Sequence, residues 1–120
     1  MKDILIRFFL RWAINTFGLW VASQLISSID YGGDVAVLLI ASFILSLINA
    51  LIKPLLVLLS LPFIVLSLGL FTIIINGALV WLVGALYGPF EVGGFSYAVL
   101  AGLIVGLVNY MLTILLDRES

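Results

Sequence analysis

The sequence contains no cysteine and no histidine, and its five basic and six acidic residues make up only 9% of the chain. Without thiol or imidazole groups, the chain has no possible disulfide and lacks the usual zinc and haem ligands. The formal net charge of −1 gives no basic surface for nucleic acid. The composition therefore predicts no metal, no cofactor and no nucleic-acid partner.

Apolar residues are abundant instead. They make up 65% of the 120 residues, and the mean hydropathy is +1.41, whereas a soluble domain averages roughly 45–50% apolar and 25% charged residues. Because a membrane-spanning helix needs about 20 residues, the chain has room for about four. We therefore predict an all-α integral membrane protein with a single membrane domain over residues 1–120. Its four spans are expected at about residues 8–29, 35–52, 70–86 and 97–116.

The segment 53–69 joins the second and third apolar runs and begins with Lys53 and Pro54. A proline disfavours helical geometry in the residue before it, and Pro62 interrupts the segment again. Short apolar runs are more typical of interfacial or re-entrant segments than of complete spans. We expect a proline-broken linking segment, either interfacial or re-entrant, that returns to its own side of the membrane.

The charges fit this topology. With four spans, the acidic loop residues Asp30, Asp34 and Glu91 fall on one side. Cytoplasmic loops of membrane proteins carry an excess of lysine and arginine. This rule places both termini in the cytoplasm, together with Lys2, Arg7, Arg11, Lys53 and Arg118.

An internal repeat supports the same arrangement. A shift of 61 positions aligns Asn15 with Asn76 and the Asp30-x-Gly32-Gly33 loop with the Glu91-x-Gly93-Gly94 loop; after a one-residue gap, Asn49 aligns with Asn109. Hydrophobicity alone does not supply such coincidences of asparagine and paired glycines. We predict two tandem parallel helical-hairpin repeats at about 8–52 and 70–116, joined by residues 53–69.

The four asparagines are expected to lie in one layer within the membrane. They form either a structural hydrogen-bond network, with Asn15 facing Asn76, or a polar constriction along a solute path. Small residues at helical spacing should permit close packing with a helix of the same chain or of another copy. These residues are Ser42 and Ser46 on the second helix and Gly102 and Gly106 on the fourth.

The two acidic-x-Gly-Gly loops allow two interpretations. Either they are solvated turns, with Asp30 and Glu91 in water, or they form a cation site together. The spans offer only amides, hydroxyls and tyrosines, and no set of catalytic acid, base and nucleophile is visible. We therefore predict that the protein is not an enzyme.

The central stretch NALIKPLLVLLSLPFIVLSLGLFTIIIN, Asn49 to Asn76, is accompanied by RWAIN near the N-terminus and FEVGGF in the second loop. Together they resemble the mycobacterial four-transmembrane-segment phage holin family of superfamily IV. The resemblance implies four transmembrane segments in the bacterial inner membrane. By the family name, it also implies membrane lesions that release a lytic enzyme.

Three functions are compatible with the sequence. The protein is a holin-like homo-oligomer that permeabilises the inner membrane, a non-lytic envelope protein that works through partners, or a small channel or transporter built from parallel repeats. The lipid bilayer is its predicted environment in all three cases. The sequence identifies no protein partner.

Overall fold

Six helices make up most of the structure, a computed structural model that describes the backbone of residues 2–119 and the side chains of residues 2–115. The side chain of Arg118, one of the predicted cytoplasmic charges, lies outside this description. The predicted all-α class is confirmed, since the described residues contain no strand beyond an isolated bridge. The helices are α1 (Lys2–Leu25), α2 (Val35–Leu51), α3 (Lys53–Leu59), α4 (Leu61–Leu66), α5 (Phe71–Leu86) and α6 (Phe95–Glu119).

Two of these helices are long and apolar enough to cross a membrane on their own, α1 and the Phe95–Leu115 part of α6. The pair α2 and α3 qualifies as a third candidate if its 45° bend is counted within one span. At 1.5 Å per residue, the 16 residues of α5 extend about 24 Å, less than the roughly 30 Å hydrocarbon core. Length and composition therefore establish two to three candidate spans.

The linking segment is formed by α3 and α4. Pro54 and Pro62 lie within the first two positions of these helices. The missing N–H of a proline costs little there, because the first-turn amides have no intrahelical partner. Each proline therefore interrupts the preceding helix and starts a new one. Neither short helix buries a side chain, and both contact α5 along the outside of the bundle.

A tight turn connects α4 to α5. The Gly69 N–H donates to the Ile64 carbonyl at 2.8 Å and the Leu68 N–H to the Val65 carbonyl at 3.2 Å, which is the Schellman pattern. Leu68 has φ 57° and Gly69 has φ 91°. The turn thus holds a non-glycine residue in the left-handed region, where its Cβ crowds the backbone.

The four long helices pack in a defined pattern. α1 packs against α2 and α6, α5 packs against α6 and α2, and within the described residues α1 and α5 do not touch. The two interhelical loops are joined by backbone hydrogen bonds. The Asp30 N–H donates to the Glu91 carbonyl at 2.8 Å, and the Glu91 N–H donates to the Asp30 carbonyl at 2.9 Å. A core dominated by Leu19, Leu45, Leu79, Val80, Val83 and Phe90 lies between the helices.

α5 and α6 approach so closely that their backbones meet. A Cβ built on Gly102 would lie 2.6 Å from the Gly77 nitrogen, and one built on Gly77 would lie 2.6 Å from the Val99 Cα. Side chains larger than hydrogen are therefore excluded from both positions. The small-residue face of α6 packs against a helix of its own chain.

Replacing Gly102 with alanine is expected to destabilise the bundle. The added methyl group would overlap backbone atoms of α5, and overpacking of this kind costs about 1–3 kcal/mol. Thermal unfolding in detergent measures the effect. Gly88→Ala is the control, since a Cβ there meets no atom within 4 Å. Equal unfolding temperatures for the two variants would contradict the inferred contact.

Candidate functional site

Asn15 is a fully buried polar residue within the helical bundle, with 1% of its surface exposed. Its Nδ2 donates to Ser46 Oγ at 2.9 Å, and its Oδ1 accepts from Asn109 Nδ2 at 3.3 Å. Asn15 therefore links α1 to both α2 and α6. Interhelical hydrogen bonds of this kind contribute on average about 0.6 kcal/mol in membrane proteins.

A second set of polar contacts joins α1 to α2. The hydroxyl oxygens of Thr16 and Ser42 lie 2.6 Å apart, and Trp12 Nε1 donates to the Leu39 carbonyl at 2.9 Å. Ser42 and Ser46 thus connect the helices of the first hairpin by hydrogen bonds. Within the described residues, no buried side-chain nitrogen or oxygen lacks a hydrogen-bond partner.

Asn49 and Asn76 are half-buried and line a cavity of about 240 Å³ together with Asn109. The expected pairing of Asn15 with Asn76 is wrong. α1 and α5 are not in contact, and α6 brings Asn109 to Asn15 instead. The structure therefore brings the asparagines together as one bonded pair, Asn15 and Asn109, beside a cavity.

Two cationic residues, Arg11 and Lys53, line the same cavity. They also line an adjoining cavity of about 220 Å³, where Asn15, Ser46 and Asn49 are among their neighbours. The sequence predicts a cytoplasmic position for both cations but no shared site. Their spacing does indicate that each cation lies on the same helix face as an asparagine, since Arg11 precedes Asn15 by four residues and Lys53 follows Asn49 by four. Residues four apart share a face wherever the backbone stays helical.

The cavity lies at the end of the bundle opposite the loops. Asn49 and Asn109 are each about 21 Å along their helices from the loop-side ends of α2 and α6, at 1.5 Å per residue. Arg11 and Tyr110 are exposed as well as lining the cavity, so it opens to the surface there. Toward the loops the bundle is closed by fully buried Leu79 and Val83.

The acidic loop residues have local structural roles. The Asp30 carboxylate accepts from the Gly32 N–H at 2.7 Å, and the Asp34 carboxylate caps α2 by accepting from the Ala36 N–H at 2.9 Å. Among the described residues, no group of three or more aspartate, glutamate, histidine or cysteine side chains could hold a metal ion. The turn glycines Gly32, Gly33, Gly93 and Gly94 all have positive φ.

Asn15→Leu is expected to lower the free energy of unfolding by about 0.6–2 kcal/mol, because it leaves Ser46 and Asn109 without a shared partner. Asn76→Leu, which removes a cavity-lining amide, should cost less. Thermal unfolding of single and double variants in detergent tests the network. Asn15→Leu and Asn109→Leu should be non-additive, and Asn15→Leu and Asn76→Leu additive. The reverse pattern would contradict the bonding described here.

Comparisons with known proteins place this architecture in a family. A family model described as mycobacterial 4 TMS phage holin, superfamily IV, matches residues 6–111. The chain is 34% identical over 107 residues to the uncharacterized membrane protein YvlD of Bacillus subtilis, covering 85% of this chain and 89% of that protein. It is 29% identical over 117 residues to an uncharacterized protein of Streptomyces coelicolor, covering 93% of this chain and 94% of that protein. No solved structure matches the chain. Because the family model covers most of the sequence, the chain belongs to the mycobacterial four-transmembrane-segment phage holin family of superfamily IV.

Proposed function

We propose that this protein is a non-lytic component of the bacterial inner membrane that works as a self-contained helical bundle. The observation that carries the proposal is the distribution of polar groups. The exposed side chains of residues 12–23, 35–51, 71–86 and 98–109 are all apolar or aromatic. The asparagine, serine and threonine side chains in these stretches are buried or half-buried.

This distribution suits a bundle surrounded by lipid. A water-filled lesion built from many copies needs helices with a polar face toward the water. To form such a polar face, the buried polar side chains would have to be exposed, and this would break the bonds from Asn15 to Ser46 and Asn109. The geometry therefore favours a protein that leaves the membrane sealed.

We further propose four membrane spans in two hairpins related by a pseudo-two-fold axis along the membrane normal. The bridge between Asp30 and Glu91 supports this, since it joins residues that the 61-position repeat makes equivalent. The contact of α1 with α6 is likewise matched by the contact of α5 with α2. α5 packs beside α6 from the joined loops to the depth of Asn76, and we therefore assign α5 as a membrane span. Both termini then face the cytoplasm.

Oligomeric permeabilisation is the second candidate, and the family match favours it. A channel or transporter within one protomer is less well supported. The polar cavity is closed on its loop side by packed aliphatic side chains.

The topology can be tested with single cysteines, because the natural chain contains none. Ser27→Cys and Ser96→Cys, on the loop side, should react with a membrane-impermeant thiol reagent in intact cells. Lys2→Cys and Ser60→Cys should not react until the cells are permeabilised. Reaction of residue 2 or 60 from outside would overturn the proposed orientation.

Expression tests the proposed function directly. Cells that produce the protein at a high level should keep growing and should retain their membrane potential. A potential-sensitive dye measures that potential during growth. A co-expressed lytic enzyme should stay in the cytoplasm. A proven lytic holin expressed to the same level serves as the positive control. Abrupt loss of potential after a delay, with escape of the enzyme, would establish permeabilisation instead.

A further inference from the structure

Arg11 and Lys53 lie in one cavity within a bundle that is mostly apolar. Among the side chains that the structure describes, no carboxylate lines this cavity or the adjoining one. Lys53 is half-buried here, and partial burial of a charge without a compensating partner is costly. Two cations that share a cavity also repel each other. A bound anion would remove both penalties.

The uncharged amides in the cavity can also donate hydrogen bonds to an anion. Arginine and lysine only donate hydrogen bonds, and an asparagine amide supplies two further N–H donors. Asn109 also lines the cavity but donates to Asn15, so we assign Asn49 and Asn76 as the amides that donate to the ligand. Arginine presents a planar set of donors that suits phosphate oxygens in particular.

The cavity exists because the two repeats differ. Ser46 of the first hairpin fills the space beside Asn15 and bonds to it, whereas Gly106 lies at the equivalent position beside Asn76. A Cβ on Gly106 would lie 3.2 Å from Asn76 Nδ2, so even a small side chain would enter this space.

The two cations that line the cavity have no charged counterpart in the second repeat. Arg11 aligns with Thr72, and Lys53 aligns with Thr113. The two hairpins therefore share their asparagines but not their cations. The site combines Arg11 of the first hairpin and Lys53 at the start of the linking segment with the open space of the second hairpin.

We infer that the cavity lined by Arg11, Lys53, Asn49 and Asn76 binds the phosphate group of an anionic ligand. Its volume of about 240 Å³ is below the roughly 300–1,000 Å³ of sites for drug-sized molecules, which suits a headgroup or a free ion. In the proposed topology it lies toward the cytoplasmic end of the bundle, and basic pockets between transmembrane helices on the cytoplasmic side recognise lipid headgroups. The ligand is an anionic phospholipid headgroup or free phosphate. This inference goes beyond the proposed function; it rests on the proposed topology but not on whether the protein is lytic.

Calorimetric titration of the full-length protein in detergent tests the site with three probes: short-chain phosphatidylglycerol, short-chain phosphatidylcholine and inorganic phosphate. Saturable binding of phosphatidylglycerol but not phosphatidylcholine identifies the lipid headgroup as the ligand. Binding of inorganic phosphate, with displacement by phosphatidylglycerol, identifies free phosphate as a sufficient ligand. Binding of none of the probes, or equal binding of the two lipids, overturns the inference.

Variants locate the binding. Arg11→Gln should weaken the affinity about tenfold or more, because it removes a charge-assisted hydrogen bond. Arg7→Gln is the matched control, since Arg7 is one turn away on the same helix and does not line the cavity. An equal loss for both variants would show a diffuse charge effect and overturn the site.

Gly106→Ser keeps the inference testable if Arg11→Gln fails to fold. The added hydroxyl copies the position of Ser46, so it should fill part of the cavity and bond to Asn76. The Asn76 side chain must shift by a few tenths of an ångström to admit it, because a Cβ at position 106 lies 3.2 Å from Asn76 Nδ2. Affinity for the bound probe should fall although every charge is retained. Unchanged affinity in this variant, with cooperative unfolding retained, would exclude the cavity as the binding site.

Discussion

The amide of Asn15 is the constraint on which the rest of the bundle depends. Lipid offers no partner to an amide, so a side chain of this kind must be satisfied by other helices. Asn15 meets this requirement with one bond to α2 and one to α6. Those two bonds restrict the rotation of α1 about its axis, and they require α6 rather than α5 to pack beside it. The diagonal arrangement of α1 and α5 follows.

Much of this structure is visible in the sequence, for identifiable physical reasons. Hydropathy locates the four long helices, because each must present apolar side chains over several turns. The choice of asparagine partners is not visible, because Asn76 and Asn109 are equally polar. Tertiary packing selects between them. The close approach at Gly77 and Gly102 fixes how α5 sits on α6 and so which asparagine faces Asn15.

Sequence patterns predict the linking segment only in part and do not predict the cavity. Pro54 and Pro62 signalled interruptions, yet each also lies in the first turn of a new helix. Charge patterning assigned Arg11 and Lys53 to one side of the membrane. It gave no reason to connect them, since they are far apart in sequence and meet only when α1 packs against α2. Cavities depend on the absence of a side chain, such as at Gly106, and a missing group is hard to recognise in a sequence.

The hydrogen bonds of the first hairpin have a consequence for biogenesis. The bonds from Asn15 to Ser46 and between Thr16 and Ser42 lie entirely within α1 and α2. Once residue 51 has left the ribosome, this hairpin has internal partners for most of its buried polar side chains and is fit to enter lipid. Asn109, in contrast, finds Asn15 already in place when α6 arrives. The geometry thus allows the first hairpin to form before the second and to offer Asn15 as a partner for Asn109.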